Sequence, residues 1–168
     1  VVLFLFTAFT VNGDVYAENI TNNSSNVNYA NISDEIARDV RKYHIPGMAV
    51  VVVDSDEILF SETYGNCKNI DTPFIIGSMS KSFTALSVMQ LVEKGKIDLN
   101  KPISAYIDTS LYFKNKEDGN KITVKQLLNQ NSGLGTYQKL GNAKITDNYG
   151  KFEYANLNYN LLGKIIES

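Results

Sequence analysis

The chain has 168 residues, 43% of them apolar and 20% charged, which suits one globular domain and excludes wholesale disorder. A net charge of −2, with Lys and Arg scattered and no basic stripe, gives no electrostatic basis for binding nucleic acid. The single Cys67 excludes an internal disulfide and a cysteine cluster, and with one histidine beside it neither a metal site nor a cofactor is expected.

Val1 to Val11 is an apolar run of the length of a signal-peptide core, too short to span a bilayer. Val15-Tyr16-Ala17 then sets small residues at −3 and −1 of a cleavage site before Glu18. Residues 1–17 are therefore expected to be an export signal without its basic start, on a secreted or cell-surface protein. A lone cysteine in an exported chain fits a Gram-positive bacterium. A buried N-terminal strand or a membrane anchor is the alternative reading of the same run. Residues 18–31 are rich in Asn and Ser and are expected to form a flexible leader.

Residues 32–168 carry the folded domain. Ser33 is expected to cap a helix to about Tyr43, with Ile36, Ala37, Val40 and Tyr43 on its buried face. His44 follows at the helix stop, where a capping or packing role suits it better than catalysis. Met48 to Val53 and Ile58 to Tyr64 read as an antiparallel hairpin. A helix from Ser82 to Lys94 is expected to be amphipathic through Phe83, Leu86, Met89, Gln90 and Glu93, and to stop at Gly95. Leu99 to Ile107 is short and irregular, and Thr123 caps a short helix through Leu127 and Leu128. A last helix begins near Asn156 and runs through Leu157, Leu161, Leu162, Ile165 and Ile166. The pattern is α+β with an antiparallel sheet. Two strands make no stable sheet alone, so the 168 residues by themselves are expected to fold poorly.

The chemistry concentrates at Ser78-Met79-Ser80-Lys81. The i,i+3 spacing brings Lys81 to the face of Ser78 at the start of a helix, where unpaired N–H groups and the dipole favour negative charge. A neutral Lys81 could take the serine proton, which requires burial or neighbouring positive charge. That is the logic of an acyl-transfer serine enzyme with lysine in place of histidine. The motif alone also fits an N-cap serine followed by a solvated lysine. Tyr154-Ala155-Asn156 precedes the last helix; Tyr154 could relay a proton, and Asn156 could hold a substrate amide with one donor and one acceptor. Tyr29-Ala30-Asn31 and Tyr64-Gly65-Asn66 share the Y-x-N pattern but precede Ser78.

Three blocks in order carry a resemblance. Phe74 to Ile107, Ile122 to Leu134 with its Leu127-Leu128 and Ser132-Gly133-Leu134, and Phe152 to Gly163 are together similar to the serine β-lactamase-related, penicillin-binding serine hydrolases. The branch is that of class C β-lactamases, D-alanyl-D-alanine carboxypeptidases and related esterases. The resemblance implies the fold of that family, an antiparallel sheet flanked by helices plus a helical subdomain, here ending before the last strands. It matches Ser78 to the nucleophile, Lys81 to the base, and Tyr154 and Asn156 to the family's Tyr and Asn, with the Ser78 N–H as one oxyanion donor. It implies a histidine where Asn129 or its neighbour stands, a difference expected to affect packing and not chemistry. Gly135 and Tyr137 are further candidates to line the cleft.

The family's third block, Lys or His followed by Ser, Thr or Gly and then Gly on a late strand, has no counterpart here. The chain is therefore expected to be the N-terminal part of a longer protein, or the product of a truncated gene. The reading is an exported serine hydrolase that forms an acyl-enzyme on D-Ala-D-Ala cell-wall peptides, β-lactams or small esters. The alternatives are a non-hydrolytic penicillin-recognising module and an inactive remnant. Expected partners are a small-molecule or peptide substrate (cell-wall peptide, β-lactam or ester) and no nucleic acid, with membrane association possible through a segment beyond residue 168.

Overall fold

The computed structural model describes residues 28–168 and the backbone of Val2–Ala8. The cleavage motif at residues 15–17 and the leader through residue 27 lie outside the described residues. The chain divides into two compact units, one ending at Ile76 and one running Gly77–Ser168.

The first unit is a three-stranded antiparallel sheet with one helix. Strands β1 (Val2–Ala8), β2 (Gly47–Val53) and β3 (Ile58–Gly65) lie in that order, with β2 central. Met48 opposes Tyr64 and Val50 opposes Glu62, and the register slips at Val52/Val53. Gly65 ends β3 opposite Gly47 at φ 64, where any Cβ would sit 2.5 Å from the Pro46 carbonyl oxygen. The expected hairpin is thus present, and the apolar run expected to be an export signal contributes a third strand, Val2 pairing with Val53 through Ala8 with Gly47.

Helix α1 (Tyr29–Lys42) starts four residues before Ser33, because the Asn28 side chain caps it, accepting from the Asn31 N–H at 3.3 Å. Residues 29–31, expected in the leader, belong to the helix, and Ser33 points its hydroxyl at Glu62 instead of capping. Ile36, Ala37 and Val40 pack over Met48, Val50 and Phe60, and Tyr29 stacks on Phe60 with centroids 5.5 Å apart. Each such large apolar side chain contributes about 1.5–3 kcal/mol on burial. Tyr43 is 62% exposed, not buried as expected, since the helix ends before it. His44 takes the left-handed turn that closes α1, at φ 51, with its N–H on Arg41 O and the Ile45 N–H on Val40 O.

The second unit is helical: α2 (Ser80–Glu93), α3 (Lys116–Lys121), α4 (Val124–Leu128) and α5 (Asn156–Glu167), joined by turns and short 3₁₀ segments. Its core gathers Val88, Ile103, Ile122, Leu127, Leu134, Leu157, Leu161 and Leu162. Thr123 and Gln126 form the reciprocal cap that starts α4. Helix α5 is central, with α2 and α4 packed against it. The face of α2 differs from expectation. Val88 is buried, with Leu91 and Val92 partly buried beside it, while Phe83 is 63% and Leu86 58% exposed. Apolar residues cover more than one side of this helix, so spacing did not say which side α5 would take. Helix α3 carries no apolar stripe to announce it; its buried residue is Gly119. No helix among the described residues is long and apolar enough to cross a membrane.

Candidate active site

Ser78 sits in the single 3₁₀ turn Gly77–Met79 that leads into α2, and Lys81 is the second residue of that helix. No side chain caps α2. The serine hydroxyl turns instead toward two partners: Lys81 Nζ donates to Ser78 Oγ at 3.2 Å, and Tyr154 Oη donates to it at 2.6 Å. The reading of Ser78 as a capping serine is thereby set aside. Tyr154 stands in the extended stretch before α5, and Asn156 is the first residue of that helix. The four residues singled out by sequence thus converge on one place, although 76 positions separate Ser78 from Tyr154.

The Lys81 ammonium also lies 5.0 Å from the centroid of the Tyr154 ring and 5.9 Å from that of Tyr159, within reach of both faces. The hydrogen-bond partnership with Lys81, and then with Ser78, holds the Tyr154 phenol below its ordinary value, since both stabilise the phenolate. Sequence reasoning required burial or neighbouring positive charge around Lys81. The site is open instead, with Tyr154 43% exposed and Ser78 exposed. The lowered phenol makes Tyr154 a candidate to carry a proton at Ser78.

Ser78 and Lys81 open on a cleft of about 490 Å³ that Asn156, Tyr159 and Asn160 also line. Tyr159 is fixed by its hydroxyl, which donates to Leu128 O at 3.2 Å. Neither Tyr159 nor Asn160 was singled out from sequence. Asn160 lies one helical turn beyond Asn156 and was findable by that spacing. Gly135 and Tyr137 do not line this cleft. Tyr137 borders a separate opening with Lys114 and Lys139.

A serine with an ammonium and a phenol on its oxygen, at the mouth of an α2-type helix start, can accept an acyl group and exchange protons with it. The family model described as Beta-lactamase matches residues 32–168. The chain belongs to the beta-lactamase family. Protein flp of Staphylococcus aureus (strain NCTC 8325 / PS 47) is 30% identical over 162 residues, covering 79% of this chain and 32% of flp. Beta-lactamase-like protein 1 of Dictyostelium discoideum is 29% identical over 186 residues, covering 82% of this chain and 29% of its own length. The octameric penicillin-binding protein homologue from Pyrococcus abyssi superposes with a TM-score of 0.64 at 22% identity, over 84% of this chain and 39% of that one. A candidate beta-lactamase from Bacteroides dorei DSM 17855 gives 0.68 at 20% identity, over 83% and 46%.

These likenesses establish the β-lactamase and penicillin-binding-protein fold expected from the sequence, in its N-terminal part. The chain spans about a third of the length of the curated relatives it matches.

Proposed function

We propose that the protein is an exported serine hydrolase that forms an acyl-enzyme at Ser78. Substrates are D-Ala-D-Ala cell-wall peptides, β-lactams or small esters. The observation that carries this reading is the pair of contacts on Ser78 Oγ, Tyr154 at 2.6 Å and Lys81 at 3.2 Å. The phenolate of Tyr154, stabilised by the Lys81 ammonium, takes the Ser78 proton as Oγ attacks the carbonyl carbon. The oxyanion that forms meets the Ser78 N–H. Collapse of this intermediate breaks the scissile bond, and Tyr154 returns the proton to the leaving group. Water then attacks the ester at Ser78, again giving its proton to Tyr154, and the acid leaves as Ser78 regains its hydrogen. Asn156 holds the substrate amide at the cleft. Export rests on the apolar run of residues 1–11 and the cleavage motif at Val15-Tyr16-Ala17, and puts the protein in the secreted or cell-surface fraction.

A second reading, a module that acylates with penicillin and then stalls, draws on the likeness to a penicillin-binding protein homologue. The test is turnover by the full-length gene product of a chromogenic cephalosporin and a p-nitrophenyl ester, run beside labelling with a fluorescent penicillin. Sustained turnover supports the hydrolase. A stable penicillin adduct without turnover supports the stalled module. A folded protein that no serine-directed acylator labels would leave the inactive remnant.

A further inference from the structure

Helices α2 and α4 end in the same left-handed turn, but with different residues in it. At the end of α2 the turn residue is Gly95, at φ 67, which suits a residue without a Cβ. At the end of α4 it is Gln130, at φ 57 and buried. The turn itself is made by backbone alone, the Gln130 N–H donating to Leu127 O and the Asn131 N–H to Gln126 O. A glutamine there carries backbone strain that a glycine would avoid, so its side chain has a reason to be present.

The side-chain oxygen is engaged on the Tyr154 segment and on α5. Gln130 Oε1 accepts from the Ala155 N–H at 3.0 Å and from Asn158 Nδ2 at 2.6 Å. The Gln130 backbone carbonyl accepts from the Glu153 N–H at 2.8 Å. The residues before and after Tyr154 thus hang on one glutamine. The network continues inward: Ser132 Oγ donates to Asn158 Oδ1 at 2.5 Å and accepts from the Leu134 N–H at 3.2 Å, with Ser132 and Asn158 both buried. From the other side, Thr136 Oγ1 donates to the Tyr154 carbonyl at 2.9 Å. Tyr154 itself is anchored by its main chain, while its ring reaches into the open cleft.

We propose that Gln130 is the positioning residue of the site: by gripping residues 153 and 155 it holds the Tyr154 hydroxyl on Ser78 and beside Lys81. The inference rests on the proposed role of Tyr154 as proton carrier and adds the part that keeps it in register. What matters at position 130 is a buried hydrogen-bond acceptor in a left-handed turn. An imidazole nitrogen offers one as well.

The test uses the full-length protein with Gln130→Gly, which suits the turn but deletes the acceptor, and Gln130→His, which keeps one. Tyrosines carrying ¹³C at Cζ report the titration of Tyr154, assigned by its absence in Tyr154→Phe, and acylation of Ser78 is followed in parallel. In Gln130→Gly the Tyr154 phenol should titrate higher, toward the ordinary value of about 10. Acylation should slow by about 10-fold to 100-fold through kcat, with KM nearly unchanged. Gln130→His should restore both to within about 3-fold of the parent. A folded Gln130→Gly protein with the parent's Tyr154 titration and kcat would overturn the proposal. If Gln130→Gly does not fold, Thr136→Val decides, since it frees the Tyr154 carbonyl from the exposed side; an unmoved titration there overturns the main-chain hold. A parent that no acylator labels, but whose Tyr154 still titrates higher in Gln130→Gly, would sink the hydrolase reading and leave the positioning role standing.

Discussion

The two units of this chain each build a serine–tyrosine pair around one charged residue, with opposite results. In the first unit, Tyr64 donates to Glu62 at 2.5 Å and to Ser33 at 3.3 Å, and Ser33 also donates to Glu62. Tyr64 and Glu62 are both buried between α1 and the sheet. Burial, and then the hydrogen bond to Glu62, push the Tyr64 phenol far above its ordinary value. In the second unit, the tyrosine faces an ammonium instead of a carboxyl, stands in an open cleft, and is held below its ordinary value. The residue types are nearly the same. Partner charge and access to water make the first cluster a fastening and the second the proposed reactive site.

The largest expected effect comes from removing the charge that separates the two cases. Lys81→Ala should cut the rate of acylation of Ser78 by about 10²-fold to 10³-fold, since it removes the cation that stabilises the Tyr154 phenolate from which proton transfer begins. It should also return the Tyr154 titration to the ordinary tyrosine range. Tyr154→Phe follows, at about 10²-fold in turnover; a parent-like rate in that variant would remove the proton-relay role. The pH dependence sharpens the contrast. Acylation should rise with pH to a midpoint below about 10, the ordinary tyrosine value, because it tracks the lowered phenol of Tyr154. Stability should run the other way. The raised phenol of Tyr64 keeps its proton when folded, so its contribution is complete below about pH 10 and is lost as pH climbs beyond that. Chemical denaturation at pH 8 and pH 11 checks this, and Tyr64→Phe, which should cost about 1.5–3 kcal/mol at pH 8, should flatten the difference.

Much of this arrangement was legible in the sequence, for identifiable reasons. The i,i+3 spacing of Ser78 and Lys81 survives as a contact because a helix fixes it. Thr123 announced α4 because a helix cap is local, while its reciprocal partner Gln126 went unread. Tyr154 and Asn156 were singled out by the order of their block after Ser78, although nothing local brings Tyr154 to the serine. What escaped was set by packing over long separations. Gln130, Ser132 and Asn158 are ordinary polar residues in the sequence, and become a buried network only when α5 packs on α4. The Asn28 cap was hidden in an Asn-rich run, which moved the start of α1 to Tyr29. The apolar run at the N-terminus fits both an export signal and the edge strand β1. N-terminal sequencing of the mature protein, recovered from cells and medium together, separates the two: a start at Glu18 means that β1 leaves with the signal, whereas retention of Val2–Ala8 would remove the cleaved-signal reading.

The smallest expected effect is at the rim of the cleft. Asn156→Ala should raise KM by about 3-fold to 10-fold, the loss of one hydrogen bond to substrate, with kcat nearly unchanged. A fall in kcat without a change in KM would assign Asn156 to the chemistry instead of to binding.

The most direct test of the account is to map the adduct left by a serine-directed acylator, a fluorescent penicillin or an activated ester, on the full-length protein. Peptide mass spectrometry should place it on Ser78 in the parent and find none in Ser78→Ala. An adduct on another residue, or undiminished labelling of a folded Ser78→Ala protein, would contradict the assignment of the nucleophile and with it the mechanism built on Lys81 and Tyr154.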